Sequence, residues 1–192
     1  MNAPRRIVLT GGPGAGKTVI ARHIAQSDTS RFALVPEAAT QVYSQLNTRW
    51  DKLDHDGRLD VQRLIYKLQL EQEREIASEH PNRVLLLDRG TIDGAAYWPH
   101  GPEDYWRDLG TALGDELRRY DSVIWMESAA ALGMYDGDES NFCRFEHPQA
   151  AIESGKLLLQ LWAGHPNLKH VGAFTNLEDK ISAVNEIIDV LR

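Results

Sequence analysis

Residues Gly11-Gly12-Pro13-Gly14-Ala15-Gly16-Lys17-Thr18 spell G-x-x-x-x-G-K-[ST] without a mismatch. No other stretch constrains the fold as strongly, because this loop works only between a strand and a helix. Neighbouring phosphates of a nucleotide concentrate negative charge. A loop that turns successive backbone N–H groups inward can cradle them, and its glycines permit the conformation and the close approach. Lys17 brings a positive charge to the β- and γ-phosphate oxygens, and the Thr18 hydroxyl is a predicted Mg²⁺ ligand. The helix that follows points its N-terminus at the same phosphates. The flanks agree. Arg6-Ile7-Val8-Leu9-Thr10 reads as a short buried strand. Residues 17–26 read as a helix with Val19, Ile20, His23 and Ile24 on its packed side.

The rest of the chain reads as alternating strands and helices. Phe32-Ala33-Leu34-Val35 is a second strand stopped by Pro36, and Glu37 follows at its C-terminal end. Ligands of open α/β sheets gather at that end of the strands, so Glu37 is a candidate substrate contact; a helix-start acid is its structural alternative. A helix is expected over 38–46, an exposed polar loop or lid edge over 47–58 with a break at Gly57, and a long helix from Val61 to about Glu79 capped by Asp60. On that helix Val61, Leu64, Ile65 and Leu68 form the apolar stripe, while Glu71, Glu73, Arg74 and Glu75 read as a solvated face.

The run Val84-Leu85-Leu86-Leu87-Asp88 suits a central parallel strand buried on both faces. A carboxylate at its end, paired with the phosphate loop, is the arrangement that holds Mg²⁺ opposite Thr18, so Asp88 is the second predicted metal ligand. Arg89 adds a guanidinium fork for phosphate or carboxylate. Asp93 and Tyr97 lie just beyond as substrate-contact candidates, with Trp98 read as core. A helix over 102–120, a strand over 122–126, a helix over about 148–163, a strand over 168–171 and a last helix capped by Asn176 complete the pattern. The irregular 129–145 stretch, with Gly133, Gly137, Asp136, Asp138, Glu139, Asn141 and Arg144, is a candidate lid from which Arg144 can reach a transferred phosphate.

At 192 residues the chain can bury one substantial core, and it reads as a single domain over 1–192 with a lid within 129–163. A net charge of −7 argues against general nucleic-acid binding. Cys143 is the only cysteine, so no internal disulfide forms, which fits a reducing compartment. No apolar run approaches the ~18 residues of a membrane span, and the first strand starts too early for a signal peptide. The expected location is cytoplasmic.

Taken together, the loop Gly11 to Thr18, Pro36-Glu37-Ala38-Ala39, Asp88-Arg89-Gly90 with Asp93 and Tyr97, and Asn141 with Arg144 and Glu146 resemble the NadR/translocation-defect-like P-loop family, often described as an AAA-type ATPase domain. The resemblance covers nearly the whole chain. It implies an α/β three-layer sandwich around a five-stranded parallel sheet of order 2-3-1-4-5, as in nucleoside kinases. It implies phosphate binding by Gly11, Gly12, Pro13, Gly14, Ala15, Gly16 and Lys17, and Mg²⁺ at Thr18 and Asp88. It further implies an acceptor-side carboxylate at Glu37, a substrate-side Arg89 and a lid arginine at Arg144. Serines usual in the NadR loop are replaced here by Pro13 and Ala15, and no adenylyltransferase activity is expected. The leading expectation is a kinase that moves the γ-phosphoryl of ATP (or GTP) to a nucleoside-like acceptor, with Lys17, Glu37 and Arg144 as its catalytic residues. Because other family members bind GTP or phosphoinositides, the alternative is a nucleotide-dependent regulatory protein with a phosphoinositide or protein partner.

Overall fold

The computed structural model describes residues 3–134 and 148–191. Five strands form one parallel sheet: β1 (Arg6–Thr10), β2 (Phe32–Val35), β3 (Val84–Asp88), β4 (Ser122–Met126) and β5 (Leu168–Val171). Their order is β2-β3-β1-β4-β5, as the resemblance implied. Parallel neighbours need crossover connections, and helices supply them: α1 (Lys17–Ser27), α2 (Ala38–Gln45), α3 (His55–Glu79), α4 (Pro102–Leu109), α5 (Leu113–Leu117), α6 (Pro148–Trp162) and α7 (Leu177–Val190).

The strands are apolar throughout because both faces of the sheet are covered. Alternate residues divide between two cores. Ile7, Leu9, Leu86, Ile124 and Met126 pack with Ile20 and Ile24 of α1 and Val184 and Ile188 of α7. Val8, Leu85, Leu87 and Val123 pack on the other side with Ile92, Trp98, Tyr105, Trp106, Tyr120 and Trp162. The fold is therefore an α/β three-layer sandwich of the P-loop NTPase class. It brings the C-terminal ends of β1, β2 and β3 together, with Leu9 beside Asp88 and Val35 beside Leu87.

Several local expectations are corrected. The long helix begins at His55, and Asp54 rather than Asp60 caps it by accepting from the Gly57 N–H at 2.8 Å. Gly57 thus lies in the first turn and not in a break, and 47–58 is partly helical. The single helix expected over 102–120 is two, because Gly110 ends α4 in a left-handed conformation at φ 68°. On α1, Val19 and His23 face outward, and Ala21 and Ala25 take the packed positions with Ile20 and Ile24. Leu64 on α3 is 44% exposed. Glu73, read as solvated, is fully buried and accepts hydrogen bonds from Gln69, Arg119 and Tyr120.

Candidate functional site

The phosphate loop joins β1 to α1. At Gly11 the backbone has φ +135°, and a Cβ would stand 2.1 Å from the Met126 carbonyl oxygen, so only glycine fits. Lys17 is fully buried and folds over the loop, with Nζ donating to the carbonyls of Gly11 (2.8 Å) and Gly12 (2.9 Å). Its charge also bears on both nearby carboxylates, Glu37 and Asp88.

Those carboxylates are held in opposite states. Asp88 ends β3 and is 2% exposed. Burial first, and the charge of Glu37 second, raise its pKa to about 6, against the pull of Thr18, Lys17 and Arg89. Asp88 Oδ1 and Thr18 Oγ1 are both buried, and neither makes a hydrogen bond of good geometry within the described residues. Glu37 is also buried, which alone would raise its pKa. The Arg89 guanidinium, the Thr40 hydroxyl and Lys17 outweigh burial and hold Glu37 well below the usual carboxylate range. Arg89 Nε donates to Glu37 Oε1 at 2.6 Å, and the Thr40 hydroxyl donates to Glu37 Oε2 at 2.6 Å.

Arg89 sits in the left-handed region at φ 82°, which costs a non-glycine residue about 1 kcal/mol or more and persists only where the surroundings enforce it. Here they do. Its N–H donates to the Leu9 carbonyl (3.1 Å), and its Nη1 donates to Asp93 Oδ2 (3.1 Å). Just after it, the Thr91 N–H donates to the Tyr120 hydroxyl (2.8 Å) and the Thr91 hydroxyl donates to buried Glu116 (2.7 Å). Asp93 is 3% exposed and fully engaged: besides Arg89 it accepts from the Thr10 hydroxyl (2.9 Å) and from Trp162 Nε1 (2.8 Å). Trp162, at the end of α6, also packs on Gly90, where a Cβ would meet its ring at 3.0 Å. A chain of polar contacts thus runs from α6 through Asp93 and Arg89 to Glu37.

Beside this chain lies a cavity of about 180 Å³. Pro13 of the phosphate loop borders it, as do Glu37, Arg89, Asp93 and Tyr97. Its walls are aromatic: Tyr43, Trp50, Tyr66, Tyr97 and Tyr105. Trp50 and Tyr97 meet edge to face, with ring centroids 6.4 Å apart. The acceptor-side residues named from sequence are therefore brought together around one hollow next to the loop. Arg144 and most of the expected lid core, including Asp136, Asp138, Glu139, Asn141, Cys143 and Glu146, lie outside the described residues.

The AAA domain family matches residues 6–180. The chain belongs to that family. Among solved structures, this AAA domain superposes on a NadR protein in complex with NAD and AMP-PNP, at TM-score 0.66 and 16% identity over 98% of this chain and 49% of that one. It also superposes on a NadR protein in complex with NR, at TM-score 0.67 and 21% identity over 96% of this chain and 51% of that one. The chain spans about half the length of these structures, and at such identities the likeness is one of fold. No curated protein matches it significantly in sequence.

Reasoning from sequence missed three parts of this AAA-domain site: Trp162, the buried Glu73 and Glu116, and the polar face of α3. Trp162 is 69 residues from its partner Asp93, a separation that no local pattern reports. Its importance is measurable through Asp93. Asp93→Asn is expected to lower the unfolding free energy by about 2–4 kcal/mol, because it leaves a buried guanidinium half-paired and weakens two further bonds. Chemical denaturation measures this; an unchanged midpoint would remove Asp93 from the support of Arg89.

Proposed function

We propose that this AAA-domain protein is an ATP-dependent small-molecule kinase that transfers the γ-phosphoryl group to a hydroxyl of a nucleoside-like acceptor. The observation that carries the reading is the aromatic-lined cavity that touches the phosphate loop at Pro13 and has Glu37, Arg89 and Tyr97 on its wall. A nucleotide switch has no need of a second, organic-sized hollow beside its phosphate site, whereas a transferase must hold two substrates in contact.

In this reading the loop residues Gly11 to Thr18 hold the triphosphate, with Lys17 released from the loop carbonyls onto phosphate oxygens. The acceptor oxygen forms a bond to the γ-phosphorus as the bond to the bridging oxygen of the leaving diphosphate breaks. Glu37 orients the acceptor hydroxyl and receives its proton or passes it to water. Because Arg89 holds Glu37 strongly acidic, orientation is its larger contribution, which suits a loose phosphoryl-transfer transition state that needs little base assistance. Arg89 is placed to meet the acceptor or the transferring phosphoryl, and Asp93 acts through Arg89. Arg144 retains the role of lid arginine on the family resemblance alone.

The Thr18–Asp88 pair fits Mg²⁺: two neighbouring oxygen donors beside a phosphate loop, one of them anionic, whose buried Oγ1 and Oδ1 make no hydrogen bond of good geometry within the described residues. Bound there, Mg²⁺ would spread the charge of the β- and γ-phosphates. The pair makes an unusual stability prediction. A folded-state pKa raised above the unfolded value means that charged Asp88 costs stability above about pH 6, and the cost is relieved as pH falls. At pH 7.5, Asp88→Asn is therefore expected to stabilise the nucleotide-free protein by about 1–2 kcal/mol while abolishing the Mg²⁺ dependence of ATP binding. Thermal melts and calorimetry with and without Mg²⁺ check both halves. A lower melting temperature with intact Mg²⁺ dependence would make Asp88 structural.

The reading is tested by screening ribonucleosides, cofactor precursors and sugars for acceptor-dependent ADP release from MgATP. A hit that raises ADP release at least tenfold over the acceptor-free rate supports it. A flat response across the panel, with tight MgATP binding, favours the regulatory alternative.

A further inference from the structure

Glu73 on α3 is a fully buried carboxylate that the proposed reaction does not use. Burying a charge is costly unless its oxygens are well engaged, and here the engagement has a direction. Arg119 Nη2 donates to Oε2 at 2.7 Å and balances the charge from a partly exposed position. Oε1 takes two other donors: Gln69 Nε2 at 3.0 Å and the Tyr120 hydroxyl at 2.9 Å. Both of these reach on to the same turn. Gln69 Nε2 also donates to the Arg89 carbonyl at 3.4 Å, and the Tyr120 oxygen accepts the Thr91 N–H at 2.8 Å. The protons leave no second arrangement. Tyr120 gives its one proton to Glu73, and the Thr91 hydroxyl gives its own to Glu116, so the phenol oxygen faces Thr91 as an acceptor.

Glu73 therefore holds, through one intermediary each, the carbonyl before Gly90 and the N–H after it. Gly90 is closely packed between them: a Cβ there would stand 3.0 Å from the Trp162 ring and 3.2 Å from Tyr120 Cζ. The residue these bonds constrain is Arg89, in its left-handed conformation at φ 82°. Its N–H is held by the Leu9 carbonyl on one side, and its carbonyl by Gln69 on the other. Relaxation to negative φ would swing the side chain away from Glu37 at 2.6 Å and Asp93 at 3.1 Å.

We infer that Glu73 is a positioning residue: through Gln69 and Tyr120 it holds the Arg89–Gly90–Thr91 turn in its left-handed course and so keeps the Arg89 guanidinium on Glu37. An apolar side chain of similar size would avoid the cost of burying a charge. Only a carboxylate can accept from Gln69 and Tyr120 on one oxygen while answering Arg119 with the other. The inference rests on the reading of Glu37 and Arg89 as acceptor-side residues, but the turn can be observed without any acceptor.

The experiment is nuclear magnetic resonance on the ¹⁵N-labelled full chain. Arg89 Nε–H, bonded at 2.6 Å on a side chain 13% exposed, should give a slowly exchanging cross-peak, assigned by its absence in Arg89→Lys. Tyr120→Phe keeps the ring against Trp162, at 5.5 Å between centroids, and removes the hydroxyl. Glu73→Met removes the carboxylate and lets Arg119 turn to solvent. Both should speed exchange of that proton roughly tenfold or more, because the turn that shields it opens more often. Val184→Ala, which leaves a cavity in the core on the other face of the sheet, should lower the melting temperature and leave the exchange unchanged. Wild-type exchange in Tyr120→Phe or Glu73→Met, or an equal acceleration in Val184→Ala, would overturn the inference. With an acceptor in hand, Tyr120→Phe should lower kcat/KM for the acceptor by roughly 10–100-fold, the scale for a misplaced orienting group, at unchanged MgATP affinity. The same substitution should add no further loss in an Arg89→Lys background, and full additivity would count against a role through Arg89 and overturn the inference. Faster Arg89 exchange in both variants, with no acceptor turnover by the wild type, would instead overturn the kinase reading and leave the role of Glu73 standing.

Discussion

Glu37→Gln is expected to leave MgATP affinity nearly unchanged and to lower acceptor-dependent turnover by roughly 10²–10⁴-fold, the range for a positioned acid–base group. The structure favours the lower part of that range. Arg89 at 2.6 Å and Thr40 at 2.6 Å hold the carboxylate in place and keep it ionised, which makes it a firm hydrogen-bond acceptor and a poor proton acceptor. Part of the loss should therefore appear as a higher KM for the acceptor. The pH profile carries the same logic. Glu37, held far below the usual carboxylate range, should contribute no titration limb between pH 5 and 9. Asp88, raised to about 6 in the metal-free protein, should make Mg²⁺ binding release a proton near that pH, and bound Mg²⁺ should move any acid limb of activity below it. Steady-state kinetics on the variant and a pH series on the wild type measure both. Full turnover with a lowered melting temperature would move Glu37 out of the active site and reduce it to a helix-start acid beside α2.

Lys17→Ala is expected to weaken ATP binding by roughly 10²–10³-fold, because a buried charge that meets phosphate is worth about 3–4 kcal/mol when truncated. The structure adds a stability effect that the loop motif does not suggest. Lys17 is fully buried, satisfies the Gly11 and Gly12 carbonyls, and offsets the charges of Glu37 and Asp88. Its removal should therefore also cost about 1–2 kcal/mol of stability. Lys17→Met, which keeps the apolar stem, should recover part of the stability and none of the affinity. Titration of nucleotide into both variants, beside their melting curves, separates the two effects. Undiminished ATP affinity in either variant would contradict the assignment of the loop.

These expectations were legible in the sequence to different degrees. The loop, its strand and helix, Asp88 at the end of β3 and Glu37 after β2 are local patterns, and the structure places all of them at one end of the sheet. The order of the sheet came from family resemblance, since spacing alone cannot say which strands are neighbours. Glu73 and Gln62 show the limit of periodicity. Both lie on α3 at positions whose polarity suggests solvent. One is buried by Arg119 and Tyr120, which come from 46 and 47 residues away, and the other by a cavity that exists only once α3 meets the 3₁₀ segment Thr91–Tyr97. Asp93 was named for its position next to Arg89. That its oxygens are taken up by Thr10 and Trp162 depends on contacts between elements 83 and 69 residues apart in the chain.

The most direct test of a two-substrate phosphotransferase is the fate of the γ-phosphoryl group. The protein is incubated with γ-labelled MgATP and the best-bound acceptor, and the labelled products are separated. The account predicts label on the acceptor, formed in step with ADP and lost in Glu37→Gln. Label found only in inorganic phosphate, released at the same rate with and without acceptor, would contradict it.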